Sequence, residues 1–555
     1  MPQEEPQTAL KYFYATNPQI VLVVVLLAIF LPFVNKPFNI DDPLFIWVAK
    51  HIQHNPFDFY GFDVNWYRSV QPMALVTKNP PLIAYYLASV GICFGWSEVA
   101  MHLAMLAPLI ALALGTFRLA GQLDAKPLQA ALITIATPVV MVSGTSVMCD
   151  VPMVALWVWA VSFWIDGNKE PYHKMLLPAA ACLLTAAGLT KYFGASLIPL
   201  LASYSIMNRT PLRRWLPYLL MPAVLFLLYE VATYRMYGAG LLSDAFVYSA
   251  ETRMKLNKNY IQGIIDSLSF MGGGLIVAIF TVPFLFRLKG WLYCAVGIVG
   301  LTIIGYLLNV DNKANLGISI QQAAFIITAA VLFVITISDV VKNRDGKSIL
   351  LALWILGTFV FASMVNWSVS ERNMLPMAPA VGLIISRRLT HKSAHHRRLD
   401  RSGFAVAFML ALSLSFLVTL ADYRWAREMA KTVQQIHSYS SGTGQRLWFQ
   451  GHWGFQYYME QIGGTHLDFT ASKVQAGELF VSPSFGSNIE SLSADILEVT
   501  GEIPTTPLSW LSVLSIPTGA GFYSNEFGHL PYVFTRVQPE KYIFGLFRQN
   551  IRFMQ

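Results

Sequence analysis

The sequence predicts an all-α polytopic membrane protein of about 13 transmembrane helices, followed by a C-terminal extracytoplasmic α/β domain. Composition is the first observation: 55% of the 555 residues are hydrophobic and 13% are charged, against roughly 25% charged in soluble domains. The second is the recurrence of apolar runs close to the roughly 20 residues that a helix needs to cross the hydrocarbon. The third is a change of character at Asp422, after which spanning runs cease. Short β-rich pieces such as Arg446-Leu447-Trp448-Phe449 and Glu478-Leu479-Phe480-Val481 then alternate with Gly, Ser and Pro turns.

Taken in order, apolar segments occur near 18–34, 98–120, 128–147, 151–165, 175–190, 192–207, 215–234, 263–286, 291–308, 321–341, 348–365, 374–388 and 403–421. The first has no small-residue cleavage site after it and reads as a retained anchor. The run around Thr190-Lys191 is one apolar stretch interrupted by a lysine, which suits two short helices meeting at a membrane surface. The basic run from Arg387 to Arg401 belongs on the cytoplasmic side, where Lys and Arg are retained. This places the N-terminus inside, and thirteen crossings then place the C-terminal region outside. The expected domains are 1–421, a transmembrane catalytic unit with a long first outer loop at 35–97, and 422–555.

The net charge of +8 follows from this positive-inside bias and implies no nucleic-acid partner. Cys93, Cys149, Cys182 and Cys294 lie in or beside apolar segments, where packing is their ordinary role. The chain carries no metal-ligand spacing, phosphate-binding glycine loop or nucleophile elbow.

Chemistry concentrates on the outer side. Asp41 and Asp42 stand just past the first span, and acids at a membrane edge are costly unless they face a cavity. The 35–97 loop is long for a connector, and loops of that size are usually functional. Leu44 to Lys50 and Leu82 to Leu87 read as helices lying on the interface, with Pro80-Pro81 starting the second. Lys78 and Asn79 then fall at its N-terminal end, where backbone donors favour an anion. Asp150 is the one charge in the turn Gly144 to Pro152, and its alternative role is to cap the following helix. Lys191 with Tyr192, and Arg372 after Glu371, complete the set.

Acids and bases gathered at one membrane level suit transfer from a lipid-phosphate sugar donor. Cations hold the charge developing on the leaving phosphate, and a carboxylate takes the proton of the acceptor hydroxyl. An inverting displacement needs one base and no carboxylate nucleophile. The alternative is a polytopic transporter with an outer-face charged site. Transporters commonly show paired repeats, whereas here the long loop occurs once and the extramembrane region sits at one end.

On Asp41-Asp42 after the first span, Asn79-Pro80-Pro81-Leu82, Asp150-Val151-Pro152, Leu189-Thr190-Lys191 and Glu371-Arg372, the chain resembles the GT-C superfamily of integral-membrane glycosyltransferases. The branch is that of the protein O-mannosyltransferases, lipid A aminoarabinose transferases and rhizobial galacturonosyltransferases, and the resemblance covers residues 20–210 best. It implies a hexosyl- or pentosyltransferase using a polyprenyl-phosphate sugar, with a lipid, glycan or protein acceptor, in a bacterial inner membrane. It implies Asp41 or Asp42 as the catalytic carboxylate, Lys191, Arg372 and Lys78 at the donor phosphate, and Asp150, Asn79, Tyr192 and Glu371 as positioning residues. Relatives usually read Asp-Glu where this chain has Asp-Asp, and often Lys or His where it has Asn79. Adjacent carboxylates cannot both point at one hydroxyl, so one serves as base, with Asp41 preferred. Some relatives bind a divalent cation, and the residues here commit to none.

Overall fold

The computed structural model describes residues 17–169, 175–257, 259–285, 295, 299, 316–390, 397–442, 444–486 and 488–554. Helix α1 (Pro18–Phe30) leads into a segment with two helices, α2 (Asp42–His54) and α3 (Leu82–Phe94), and a short hairpin, β1 (Asp63–Asn65) with β2 (Val70–Pro72). Pro43 sits in the first turn of α2, where its missing N–H is not needed, and Phe45, Ile46, Val48, Ala49 and Ile52 form its buried face. Pro81 caps α3. Both helices expected in the 35–97 loop are therefore present.

The membrane core continues through α4 (Glu98–Gln122), α5 (Pro127–Ile135), α6 (Pro138–Gly144), α7 (Asp150–Gly167), α8 (Leu176–Thr190), α9 (Leu197–Met207) and α10 (Leu212–Tyr237). After these come α11 (Leu241–Lys255), α12 (Tyr260–Gly274), α13 (Val277–Leu285), α14 (Leu316–Asn343), α15 (Gly346–Val360), α16 (Ala378–Thr390) and α17 (Arg397–Ser441). Among the described residues, α4, α10, α14, α15 with its extension to Val365, and α17 from Phe404 are long and apolar enough to cross a membrane. Helices α5 and α6 make a sixth span if counted together, bent by 68°. Shorter apolar helices occupy several of the expected spans, among them α1 and α8. Run length alone passes over such breaks: Pro138 ends one helix and starts another, because proline cannot continue the hydrogen-bond ladder. The run at Lys191 does split, into α8 and a 3-10 turn over Tyr192–Ser196 that leads into α9. The expected segment 291–308 lies outside the described residues apart from Ala295 and Val299.

Helix α17 runs unbroken through Asp422, about 68 Å at 1.5 Å per residue. Ala411, Ser415, Val418, Asp422, Ala426, Met429, Val433, Ile436 and Ser440 are all buried along it, a three-and-four spacing that keeps one stripe facing inward. Past its end lie β3 (Leu447–Phe449), α18 (Trp453–Gln461), β4 (Thr465–His466), β5 (Leu479–Pro483), β6 (Leu497–Thr505) and β7 (Glu540–Phe547). They form a five-stranded sheet in the order β4-β3-β5-β7-β6. The β3 pairings are parallel, and those of β7 with β5 and β6 are antiparallel. Every residue of β3 and β5 is buried, as central strands covered on both faces require.

Helix α18 ties this region to the start of the chain. The Tyr458 hydroxyl accepts from the Phe38 N–H at 2.9 Å, and Tyr457 packs edge-on to the Phe38 ring at 5.3 Å. Gly454 lies against the Phe38 carbonyl so closely that a Cβ would overlap it. Gly454→Ala is accordingly expected to lower stability by about 1–3 kcal/mol through overpacking, read as a fall in the thermal midpoint of the purified protein.

Candidate active site

A cavity of about 620 Å³ opens where ends of the membrane helices meet the 35–97 segment and the C-terminal region. Asp41, Lys78, Asn79, Asp150, Lys191, Tyr192 and Arg372 line it. These are seven of the nine expected site residues, drawn from distant parts of the chain. Asp42 and Glu371 are not among the lining residues.

The two adjacent aspartates have separate surroundings. Ile40 adopts φ 49°, a costly conformation for a β-branched residue, and the chain then enters α2 with Asp41 at the N-cap position. The Asp41 side chain makes no capping bond; instead its Oδ2 lies 2.9 Å from Arg372 Nη1. Asp42 points inward, fully buried. Its Oδ2 accepts from the Asn39 N–H and its Oδ1 from the Val147 N–H, each at 2.8 Å. Burial pushes the Asp42 carboxyl up to about 7, against the opposing pull of Lys36 and these two N–H groups. Asp42 thus pins the loop to the turn before α7, while Asp41 faces the cavity.

Each of the three cations expected at the donor phosphate has a carboxylate partner. Besides Arg372 with Asp41, Lys191 Nζ lies 2.5 Å from Asp150 Oδ1, and Lys78 Nζ lies 2.5 Å from Asp244 Oδ2 while standing over the Tyr248 ring at 5.0 Å. Asp150 is the first residue of α7, one past the N-cap position, which Cys149 occupies; its partner Lys191 occupies the extended break after α8. Tyr192 shares a hydrogen bond with Tyr229 at 3.1 Å. The Asn79 carbonyl accepts from the Tyr60 hydroxyl at 2.6 Å, and its side-chain oxygen lies 3.5 Å from Cys149 Sγ.

Arg372 is held from the C-terminal side. Its guanidinium lies over the Tyr523 ring at 5.7 Å, and the neighbouring Glu371 N–H donates to the Phe522 carbonyl at 2.9 Å. Tyr523 in turn donates to Asp422 Oδ1 at 2.7 Å, and Asp422 Oδ2 is 2.5 Å from Lys36 Nζ. Lys36 also donates to the Thr145 carbonyl at 3.1 Å. Glu371 is buried against Gly274, and burial holds its carboxyl well above the usual carboxylate range.

Sequence reasoning missed Asp244, Tyr248 and Tyr523. Asp244 had a usable signal, as an acid just beyond the expected 215–234 span. Tyr523 had none, since nothing local marks it off from the other aromatics of the C-terminal region. Among the described residues no three His, Cys, Asp or Glu side chains converge as metal ligands. Asp41, Asp150 and Asp244 are each engaged by a cation, so they do not form a ready ligand set for a divalent ion.

Residues 78–234, which include the Lys78, Asn79, Asp150, Lys191 and Tyr192 positions, match the family model described as dolichyl-phosphate-mannose-protein mannosyltransferase. The match covers less than a third of the chain. A comparison with curated proteins finds no match. Solved structures similar to this chain include ArnT from Cupriavidus metallidurans bound to undecaprenyl phosphate, at 13% identity and TM-score 0.40, covering 84% of this chain and 94% of that one. Archaeal oligosaccharyltransferase AglB from Archaeoglobus fulgidus, in complex with an inhibitory peptide and a dolichol-phosphate, is similar at 11% identity and TM-score 0.47, covering 84% and 70%. The apo form of the oligosaccharyltransferase from the same organism gives 12% identity and TM-score 0.46, with 81% and 64% covered.

Proposed function

We propose that this glycosyltransferase moves a sugar from a polyprenyl-phosphate donor to an acceptor hydroxyl in the 620 Å³ cavity, at the extracytoplasmic face of a bacterial plasma membrane and with inversion at the sugar carbon. The observation that carries the reading is the set of three cation–carboxylate pairs around that one cavity. In such a partly desolvated site, charges act strongly on one another. A donor phosphate seated there takes Arg372 and Lys191 as its cations, with Lys78 at the periphery, and draws Arg372 away from Asp41.

Asp41 then accepts the proton of the acceptor hydroxyl. The acceptor oxygen forms its bond to the sugar carbon as the bond from that carbon to the phosphate oxygen breaks. The electron pair leaves with the lipid phosphate, where the cations hold the added charge. Asp150 keeps Lys191 aimed at the phosphate, and Asn79 and Tyr192 border the donor.

Binding of radiolabelled undecaprenyl phosphate to the purified full-length protein tests the reading. Charge-assisted hydrogen bonds are worth about 1.5–3 kcal/mol, so Arg372→Ala and Lys191→Ala should each weaken binding roughly 10- to 150-fold. Unchanged binding in both single variants and in the double variant would remove the phosphate site from this cavity.

A further inference from the structure

Where the 35–97 segment meets the C-terminal region, three buried polar atoms have no hydrogen-bond partner: Asn65 Oδ1 on β1, His452 Nε2 at the N-cap of α18, and His466 Nδ1 on β4. They belong to one cluster. The two imidazole rings have centroids 5.0 Å apart, at 65° to each other. Asn65 is tied to both sides of it: its main-chain carbonyl accepts from Gln456 Nε2, one turn along α18 from His452, and its side-chain Nδ2 donates to the Leu467 carbonyl, next to His466, each at 3.1 Å.

The surrounding hydrogen bonds fix what the orphaned atoms offer. Gln456 Nε2 donates a second time, to Glu460 Oε1 at 2.9 Å. The Gln456 Oε1 that faces His452 Nδ1 at 3.1 Å is therefore an acceptor, so Nδ1 carries the proton and His452 Nε2 is a bare lone pair. Asn65 Oδ1 is an acceptor for the same reason, since its amide nitrogen is committed to Leu467. Burial disfavours the protonated form of both rings, and a neutral His466 can present a lone pair on Nδ1. Buried acceptors left without a donor are costly.

We infer that this cluster binds a divalent transition-metal ion of the Zn²⁺ class through His452 Nε2, His466 Nδ1 and Asn65 Oδ1. Two imidazoles on one tetrahedral Zn²⁺, each with Zn–N of about 2.0–2.1 Å, have ring centroids about 5 Å apart, which is the spacing found. Imidazole ligands suit Zn²⁺ and its neighbours, whereas Mg²⁺ and Ca²⁺ require oxygen. A histidine that holds a metal usually donates its other N–H to a carbonyl or carboxylate, which orients the ring; His452 has the Gln456 carbonyl in that place, with Glu460 behind it. The cluster brings two of the His, Cys, Asp and Glu ligands rather than three, and an amide oxygen is the third. A single water is the competing occupant, but it can donate to two of the three acceptors and leaves one unpaired. The ion ties β1 to α18 and β4 beside Trp66, whose ring lies 4.9 Å from that of His452 and which lines the cavity.

Zinc titration of the untagged full-length protein in lipid nanodiscs, stripped beforehand with EDTA, tests this. The wild type should take up one equivalent of Zn²⁺ more than His452→Ala or His466→Ala, with a cooperative unfolding transition showing that each variant is folded. Gln456→Leu keeps both rings but removes the acceptor of the His452 N–H, and should raise the Kd 10- to 100-fold. Zinc-edge X-ray absorption on the wild type at one equivalent needs no variant, and should count two imidazoles on the metal. Equal uptake by the wild type and both folded histidine variants, fewer than two imidazoles on the metal, or an unchanged Kd in Gln456→Leu overturns the inference.

Discussion

Asp41→Asn is expected to lower sugar transfer by about 10²- to 10⁴-fold, the usual contribution of a positioned general base. It should leave undecaprenyl-phosphate binding equal to that of wild type or tighter. The second half of this expectation is the more diagnostic. Asp41 is the partner of Arg372 at 2.9 Å, and an amide there no longer competes with the incoming phosphate for the guanidinium. Asp42→Asn should behave in the opposite way. Asp42 accepts two backbone N–H groups on its two oxygens while fully buried, and an asparagine presents an NH₂ to one of them. One buried donor is then unsatisfied, at about 1–3 kcal/mol. The thermal midpoint falls, whereas the transfer rate per folded molecule stays within a few-fold of wild type. Transfer assays with radiolabelled lipid-linked sugar, paired with thermal unfolding of each variant, separate the two. A full rate in Asp41→Asn, or a lost rate in Asp42→Asn without lost stability, would reverse the assignment.

Lys36→Met is expected to destabilise the protein by about 3–5 kcal/mol, because it leaves Asp422 charged and buried. Both members of this pair have no exposed side-chain surface, and without Lys36 the buried carboxylate keeps the Tyr523 hydroxyl as donor but no opposite charge to offset its desolvation. Adding Asp422→Leu should recover most of the loss, since replacing both ions by apolar residues of similar size is often neutral or better. Recovery stays incomplete until Tyr523→Phe is added, because the Tyr523 hydroxyl otherwise keeps no acceptor for its 2.7 Å bond. Thermal unfolding of the single, double and triple variants measures the series. A single variant as stable as wild type would show that the pair is not desolvated as its burial indicates.

Much of the candidate site was legible because charge is scarce in this chain. Asp41, Lys78, Asp150, Lys191 and Arg372 stand out against apolar surroundings, and a chain that keeps ionisable groups at a membrane edge has a use for them. What joins them was not legible. Lys78 finds Asp244 across 166 positions, and Lys36 finds Asp422 across 386, separations at which no sequence period operates. The choice between Asp41 and Asp42 depends on the local backbone at Ile40, which sends one carboxylate to Arg372 and the other to the Val147 N–H. The membrane character of the core and the strand-rich C-terminal region were readable from composition and spacing. The break within 128–147 was not, since apolar run length does not register Pro138.

Helix α17 acts as a ruler as well as a scaffold. At its membrane end Ser415 donates to the Ala136 carbonyl at 2.7 Å, midway Asp422 holds Tyr523, and near its far end Tyr439 packs on Phe544 at 5.7 Å. These three anchors share one continuous rod, so its residue count, together with the α18 contacts to Phe38, sets the height and the azimuth of the C-terminal sheet over the cavity. One residue added between Asp422 and Tyr439 raises the sheet about 1.5 Å and turns it about 100°. A loop connection would absorb such a change; the rod converts it into a misaligned side of the cavity.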